Sequence, residues 1–296
     1  MSTTLAPPEQ ARASLTTIDP YTRRRKRRSR FVRYSLLVAM GISILPLVLI
    51  IFEVVRRGAP AMSWEFLTQV QPSPRTPGGG YVHGIIGTFY MVGFATLISV
   101  PLGILAAIYL TEYGRGPLTG VIRFFTDVMT GVPSVFVGLF VYSIMVRQVG
   151  FGALPGGIGL SVMMLPIIVR SSEEMLRLVP EDQRAASAGL GARKWQTVTR
   201  VVLPMAAPGL TTGVMLAVAR AAGETAVLIL TALGSLRLVT SFTGEPIASI
   251  TLLVYRGARQ PFEAGQERAW AGALLLMAIV LVLTLGARYI TARTRR

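Results

Sequence analysis

The sequence predicts an all-α, polytopic membrane protein with six transmembrane helices. Three observations carry that prediction. Only 15% of the 296 residues are charged, against about 25% in soluble domains. Hydrophobic residues make up 52%, and the mean hydropathy is +0.56. Six segments approach the ~20 apolar residues that a helix needs to cross the hydrocarbon core. They are roughly 32–54, 84–110, 122–146, 155–172, 205–233 and 269–290.

The first segment follows "YTRRRKRRSR". Its apolar run exceeds the roughly 7–15 residues of a signal-peptide core, and no small-residue cleavage site follows, so it reads as a retained span. Residues 1–31, rich in Pro, Thr and Arg, read as a disordered basic tail, and 32–296 as one membrane domain. The fourth segment is the weakest, short and interrupted by glycines and Pro166. The fifth, containing "LAVARAAGETAVLIL", carries Arg220 and Glu224 in its middle. Six crossings place both termini on one side, and "RRRKRR" and "ARTRR" assign that side to the cytoplasm. Arg56, Arg57, Arg237, Arg256 and Arg259 then lie outside, against the trend.

Three loops follow. In the first external loop, about 55–83, the prolines and glycines of "QPSPRTPGGG" forbid regular structure. The second external segment, about 234–268, is long and mixed in polarity. The cytoplasmic segment, about 173–204, contains a helix start at Pro180 with Glu181 and Asp182 in its first turn. "EDQRAASAGL" is a short helix that Gly189 and Gly191 end, and "ARKWQTVTRVV" is a second amphipathic piece running to Pro204. Such a segment is long for a plain connector and is shaped to dock with a partner.

Composition narrows the chemistry. With no cysteine, disulfides, iron–sulfur clusters and thiolate zinc sites are excluded, and the one histidine, His83, cannot build a metal site alone. The formal charge of +16 is almost wholly arginine, since Lys26 and Lys194 are the only lysines. In so apolar a chain this charge marks cytoplasmic flanks rather than nucleic-acid binding. The P-loop pattern G-x-x-x-x-G-K-[ST] is absent, so the chain does not hydrolyse ATP by that route. For an intramembrane enzyme, Glu224 and Asp127 are the only acids well inside the expected spans, with no Cys, no second His and no base for a serine protease. A pure anchor or scaffold leaves two buried charges without a use.

A charged side chain at mid-bilayer costs about 2.5–3.5 kcal/mol on insertion scales, and such groups face a polar interior. Arg220 and Glu224 stand four apart on the expected helix. They either pair with each other or line a path in which Arg220 offers its guanidinium fork to an oxyanion, with Glu224 holding it while the path is empty. Arg170, near the cytoplasmic end of span four, is an interfacial arginine, a partner of Glu173 or Glu174, or a second path residue. Asp127, four residues after Arg123, reads as a helix pair with it. Gly131 and Gly223 permit close contact or a bend, and Trp64, Trp195 and Trp270 fall at span or loop boundaries as aromatic anchors.

"RAASAGLGARKWQTVTRVVLP" resembles the EAA loop of ABC-importer permeases. Ala185 and Ala186 start the motif, Gly191 takes its glycine, and Leu203 and Pro204 take its Leu-Pro, but the usual glutamate is Ala185 here. "GGGYVHGIIGTFYM", "PLGILAAIYLTEYGRG", "IRFFTDVMTGVPSVFVGLFVY", "LPIIVRSSEEMLRLVP" and "ARAAGETAVLILTA" together resemble the PstA permeases of phosphate ABC importers, from about residue 32 to the C-terminus. One departure is Val227, where that family usually has proline after "GETA". The resemblance implies a type I, MetI-like permease of a prokaryotic cytoplasmic membrane that moves inorganic phosphate. It further implies a PstC-like sister permease, a PstB-like ATPase dimer that holds ATP and Mg, and an external PstS-like binding protein, with no cofactor on this chain. Arg220, Glu224 and Arg170 are then expected on the path. Glu181, Asp182, Arg184, Ala185, Ala186, Gly191, Trp195, Leu203 and Pro204 are expected in the ATPase-coupling loop. Sulfate or molybdate would suit the same arginine.

Overall fold

The computed structural model describes residues 20–293, with side chains for 25–289. Residues 1–19 of the expected tail lie outside the described residues; from Pro20 the chain is helical. Among the described residues, those up to Glu53 and those from Val54 onward form separate compact units. The first holds most of α1 (Pro20–Gly58), in which arginine and lysine are good helix formers. Its apolar residues between Phe31 and Phe52 are exposed, as suits a helix whose solvent is lipid.

The second unit contains α2 (Trp64–Thr68), α3 (Val82–Tyr113), α4 (Pro117–Gly131), α5 (Ser134–Val149), α6 (Ala153–Arg177), α7 (Glu181–Gly189), α8 (Lys194–Ala222), α9 (Ala226–Thr231), α10 (Ile250–Ala258) and α11 (Glu263–Arg293). Among the described residues, five helices are long and apolar enough to cross a membrane, or six if α4 and α5, which are bent by 106° and apolar enough only together, count as one broken span rather than a re-entrant loop. Pro133 sets the bend. It has no N–H to continue α4 and pushes Val132 to extended backbone, φ −71° and ψ 124°. The third span, expected as one helix over 122–146, is therefore two. Gly131 faces open space, so proline and not a close contact explains the turn.

Span four, expected to be broken, is instead the centre of the bundle. α6 is an unbroken 25-residue helix, and 61% of its apolar window is buried, more than in any other described span. It packs on α3 and α8. The glycines that weaken its apolar run let neighbours in: a Cβ at Gly159 would stand 2.5 Å from Val227 Cγ1. Small residues at a helix contact replace hydrophobicity as the driving term inside a membrane bundle. Met91, Leu160, Met164, Ile168, Ala217, Ala221, Leu228 and Leu252 form the main core.

Span five, expected over 205–233, is also two helices. α8 ends at Ala222, Gly223–Thr225 are non-helical, and α9 resumes at Ala226. At its start α8 widens into a π-turn at Val198–Val202, directly before Leu203-Pro204. Proline removes a helical N–H, and a wider turn is one way a helix absorbs that loss. A second π-turn, Tyr109–Tyr113, ends α3 beside α7.

Both external loops are more built than the sequence suggests. Residues 71–80 have no helix or strand but are held by Arg268, 3% exposed. Its guanidinium donates to the carbonyls of Thr76 at 2.6 Å, Gly78 at 3.1 Å, Pro74 at 3.3 Å and Ser73 at 3.4 Å. The second segment folds back into the bundle, burying Ile247 through Leu253. The Ile250 N–H donates to Thr88 Oγ1 at 2.9 Å, which ties α10 to α3.

Candidate functional site

The chain unwinds where its most expensive side chain sits. Arg220 lies in the last turn of α8 and is exposed on the bundle's surface. Among the described residues its guanidinium has no hydrogen bond, ion pair or ring contact. With Glu224 it borders a cleft against Leu160, Met163, Met164 and Ile167, halfway along α6. The cleft holds about 10 Å³, roughly one water and too little for a tetrahedral oxyanion. An anion meeting Arg220 therefore meets it from the open side.

Glu224 does not pair with Arg220. The break at Gly223 takes it off the helix, so the spacing of four no longer puts the two on one face. Its Oε1 instead accepts the Ala226 N–H at 3.1 Å, which satisfies one of the open N–H groups at the start of α9. Its backbone carbonyl accepts the Thr251 hydroxyl at 3.0 Å, so α10 braces the break. Val227 is fully buried in the first turn of α9, a position that also admits proline. The departure from "GETAP" thus leaves the helix start intact.

At the α7 end the charges pair across helices. Arg170 reaches Asp127 of α4 at 3.3 Å and Glu174 at 3.4 Å, all three about half exposed or more. The expected Arg123–Asp127 pair does not form. Arg123 turns to Glu173, 2.9 Å away, and Arg177 meets the same oxygen at 2.6 Å. Glu173 is the buried member, its side chain 6% exposed, and sequence reasoning gave it no role of its own. Thus Arg170 and Arg220 lie on neighbouring helices, but Arg170 is engaged and Arg220 is free.

The docking helix forms as expected. α7 starts after Pro180, with Glu181 and Asp182 in its first turn. It stops before Gly191, whose φ of +80° is the left-handed backbone that favours glycine. Arg184 is the anchor. It donates to Glu112 Oε1 from Nε at 3.1 Å and Nη2 at 2.9 Å, and to the carbonyls of Val179 and Leu176 at the end of α6. Glu181 adds a 3.6 Å contact to Arg184 and is itself 88% exposed. The Ser187 and Thr197 hydroxyls join α7 to α8 at 2.9 Å, and Lys194 lies 5.0 Å from the Tyr113 ring centre. Outward, Ala185 and Ala186 are exposed, with Leu190 90% and Trp195 52% exposed. Leu203 and Pro204 sit at the π-turn and not on that face.

Several arginines of the loops expected outside are engaged by the protein itself. Arg57 stacks on Trp270, Arg75 on Phe262 and Arg259 on Tyr255. Among the described residues, no group of three or more His, Cys, Asp or Glu is placed to hold a metal.

The chain is similar to known proteins over most of its length. Residues 99–296 match the family model described as the binding-protein-dependent transport system inner membrane component. The phosphate transport system permease protein PstA of Yersinia pestis is 39% identical, with 92% of each chain covered. That of Pasteurella multocida is 42% identical over 81% of this chain and 85% of the relative. PstA 1 of Mycobacterium tuberculosis is 37% identical over 94% and 92%. Among solved structures, a bacterial alginate ABC transporter aligns with TM-score 0.67 at 16% identity, covering 91% of this chain and 96% of that one. The MetNI methionine ABC transporter, inward facing, aligns with TM-score 0.58 at 19% identity over 73% and 95%. At such identities these likenesses show the shared MetI-like permease fold.

Proposed function

Because the chain belongs to the family of binding-protein-dependent transport system inner membrane components, and within it to the PstA permeases, we propose that it is the phosphate-translocating permease subunit of an ABC importer. It spans the cytoplasmic membrane repeatedly and leaves ATP and Mg to a PstB-like ATPase dimer. A PstC-like sister permease completes the pathway, and an external PstS-like protein delivers the anion.

The observation that carries the site is Arg220. A lone guanidinium at mid-depth in the bundle, exposed and unpaired among the described residues, cannot face lipid without a cost of about 2.5–3.5 kcal/mol. Its open side is therefore an aqueous path or the sister subunit. There its planar fork matches a phosphate's oxygens. Because α9's N-terminus claims Glu224, no internal acid competes for the cation. Arg170, already paired to two carboxylates, serves at the cytoplasmic exit as a member of an exchangeable network.

At the cytoplasmic end, α7 with Ala185, Ala186, Gly191 and Trp195 is the contact for the ATPase. Arg184 transmits its displacement into α3 and α6, since a rigid helix docked by ion pairs moves as a body. The test is radiolabelled phosphate uptake by the complete transporter, wild type against Arg220→Gln at equal membrane levels. Loss of uptake with the ATPase still assembled is expected. Normal uptake by Arg220→Gln would remove Arg220 from the path, and a wild type that moves sulfate or molybdate instead would change the anion.

A further inference from the structure

Above Arg220, on the external side, α10 carries a polar stripe toward an open cleft. Thr251, Tyr255 and Arg259 are spaced by four, so they lie along one side of the helix. Eight residues at 1.5 Å each place Arg259 about 12 Å beyond Thr251. Thr251 is buried and donates to the Glu224 carbonyl at 3.0 Å, so the stripe starts at the break that bears Arg220. It ends in a cleft of about 460 Å³ lined by Leu236, Tyr255, Arg256, Arg259 and Gln260. No acid lines it.

The two guanidiniums there are only partly spent. Arg256 donates to the carbonyls of Leu233 and Gly234, which leaves three of its five N–H groups. Arg259 donates to the Tyr255 hydroxyl at 2.6 Å, which leaves four. Arg256 is thereby fixed to the turn after α9, while Arg259 is exposed at the cleft's edge. One fixed and one exposed cation with unspent, fork-shaped donors and a phenol in a roomy, acid-free cleft suit a tetrahedral oxyanion.

We infer that the Tyr255–Arg256–Arg259 cleft is an outer receiving site for the transported oxyanion, one helix length above Arg220. This rests on the phosphate-permease reading. The anion leaves its external carrier for these arginines and then passes along α10 to the break. Shared coordination by exposed groups keeps the site weak enough to release inward.

The experiment uses the complete transporter in proteoliposomes, with radiolabelled inorganic phosphate and increasing external binding protein. For Arg259→Gln, maximal uptake is expected to fall about tenfold, the scale of one charge-assisted contact. The binding-protein concentration at half-maximal rate stays unchanged. Arg259→Lys, which keeps the charge, recovers part of the loss. An unfolding temperature of Arg259→Gln equal to wild type separates anion reception from a structural role of the stack on Tyr255, which as a cation–π contact would also depend on charge. Wild-type uptake by Arg259→Gln overturns the inference. So does an unchanged maximum with a raised half-maximal concentration, which assigns Arg259 to docking the binding protein. A wild type that takes up no phosphate overturns the permease reading first, and this one with it.

Discussion

Arg184 of α7 and Glu112 of α3 form a largely buried ion pair across 72 residues of sequence, two guanidinium N–H groups meeting one carboxylate oxygen at 2.9 and 3.1 Å. Their side chains are 17% and 8% exposed. Removing one partner leaves the other charge uncompensated, which costs about 3–5 kcal/mol at a fully buried site, and somewhat less here. Arg184→Ala should therefore lower the purified transporter's unfolding temperature and detach α7 from α3. ATPase activity that no longer responds to binding protein is the readout. The double variant with Glu112→Gln should lose less than the two losses added together.

Glu224 needs an oxygen more than a charge, because its acceptor role is toward the Ala226 N–H. Glu224→Gln should keep the bond to the Ala226 N–H, and Glu224→Ala should lose about 1 kcal/mol of stability, the net worth of one hydrogen bond. Thermal stability of the two variants in detergent separates them. If Glu224→Gln keeps stability yet slows phosphate uptake, the carboxylate charge acts on the path beside this bond.

The network on α4 and α6 should respond unevenly. Glu173 is buried between Arg123 and Arg177, whereas Asp127 meets Arg170 in the open. Exposed pairs contribute about 0–1 kcal/mol, so Asp127→Asn should barely shift the melting temperature. Glu173→Gln should shift it by several degrees.

Arg268 holds the 71–80 loop through four carbonyls. Arg268→Met keeps much of the side chain's apolar volume and removes every one of these bonds. Protease added outside right-side-out vesicles should cut within 71–80 much faster in that variant, while α7 at the opposite end stays unchanged.

Much of this arrangement is legible in the chain, for reasons that particular residues show. Pro180 with Glu181 and Asp182 announces α7, whereas reading 122–146 as one helix passes over the α4–α5 bend, although Pro133 carries its signal. Arg220 is visible as a charge in an apolar run. The unwinding beside it is not, since Gly223 has ordinary backbone, φ −88°, and the break is fixed by Thr251, 27 residues away. Asp127 goes to the wrong arginine when only its own helix is considered, because its partner Arg170 comes from α6. Arg268 passes for a flanking charge at a span's edge, and only tertiary structure shows that it turns inward onto carbonyls.

The modest apolarity of α6 has a consequence for biogenesis. A segment rich in glycine, with Pro166 and charges at its exit, is a poor candidate for independent release from the translocon into lipid. Its place is guaranteed by α3, made earlier, and α8, made later. α6 should thus linger beside the insertion channel until α8 emerges, so that the most central helix of the finished subunit is among the last to settle.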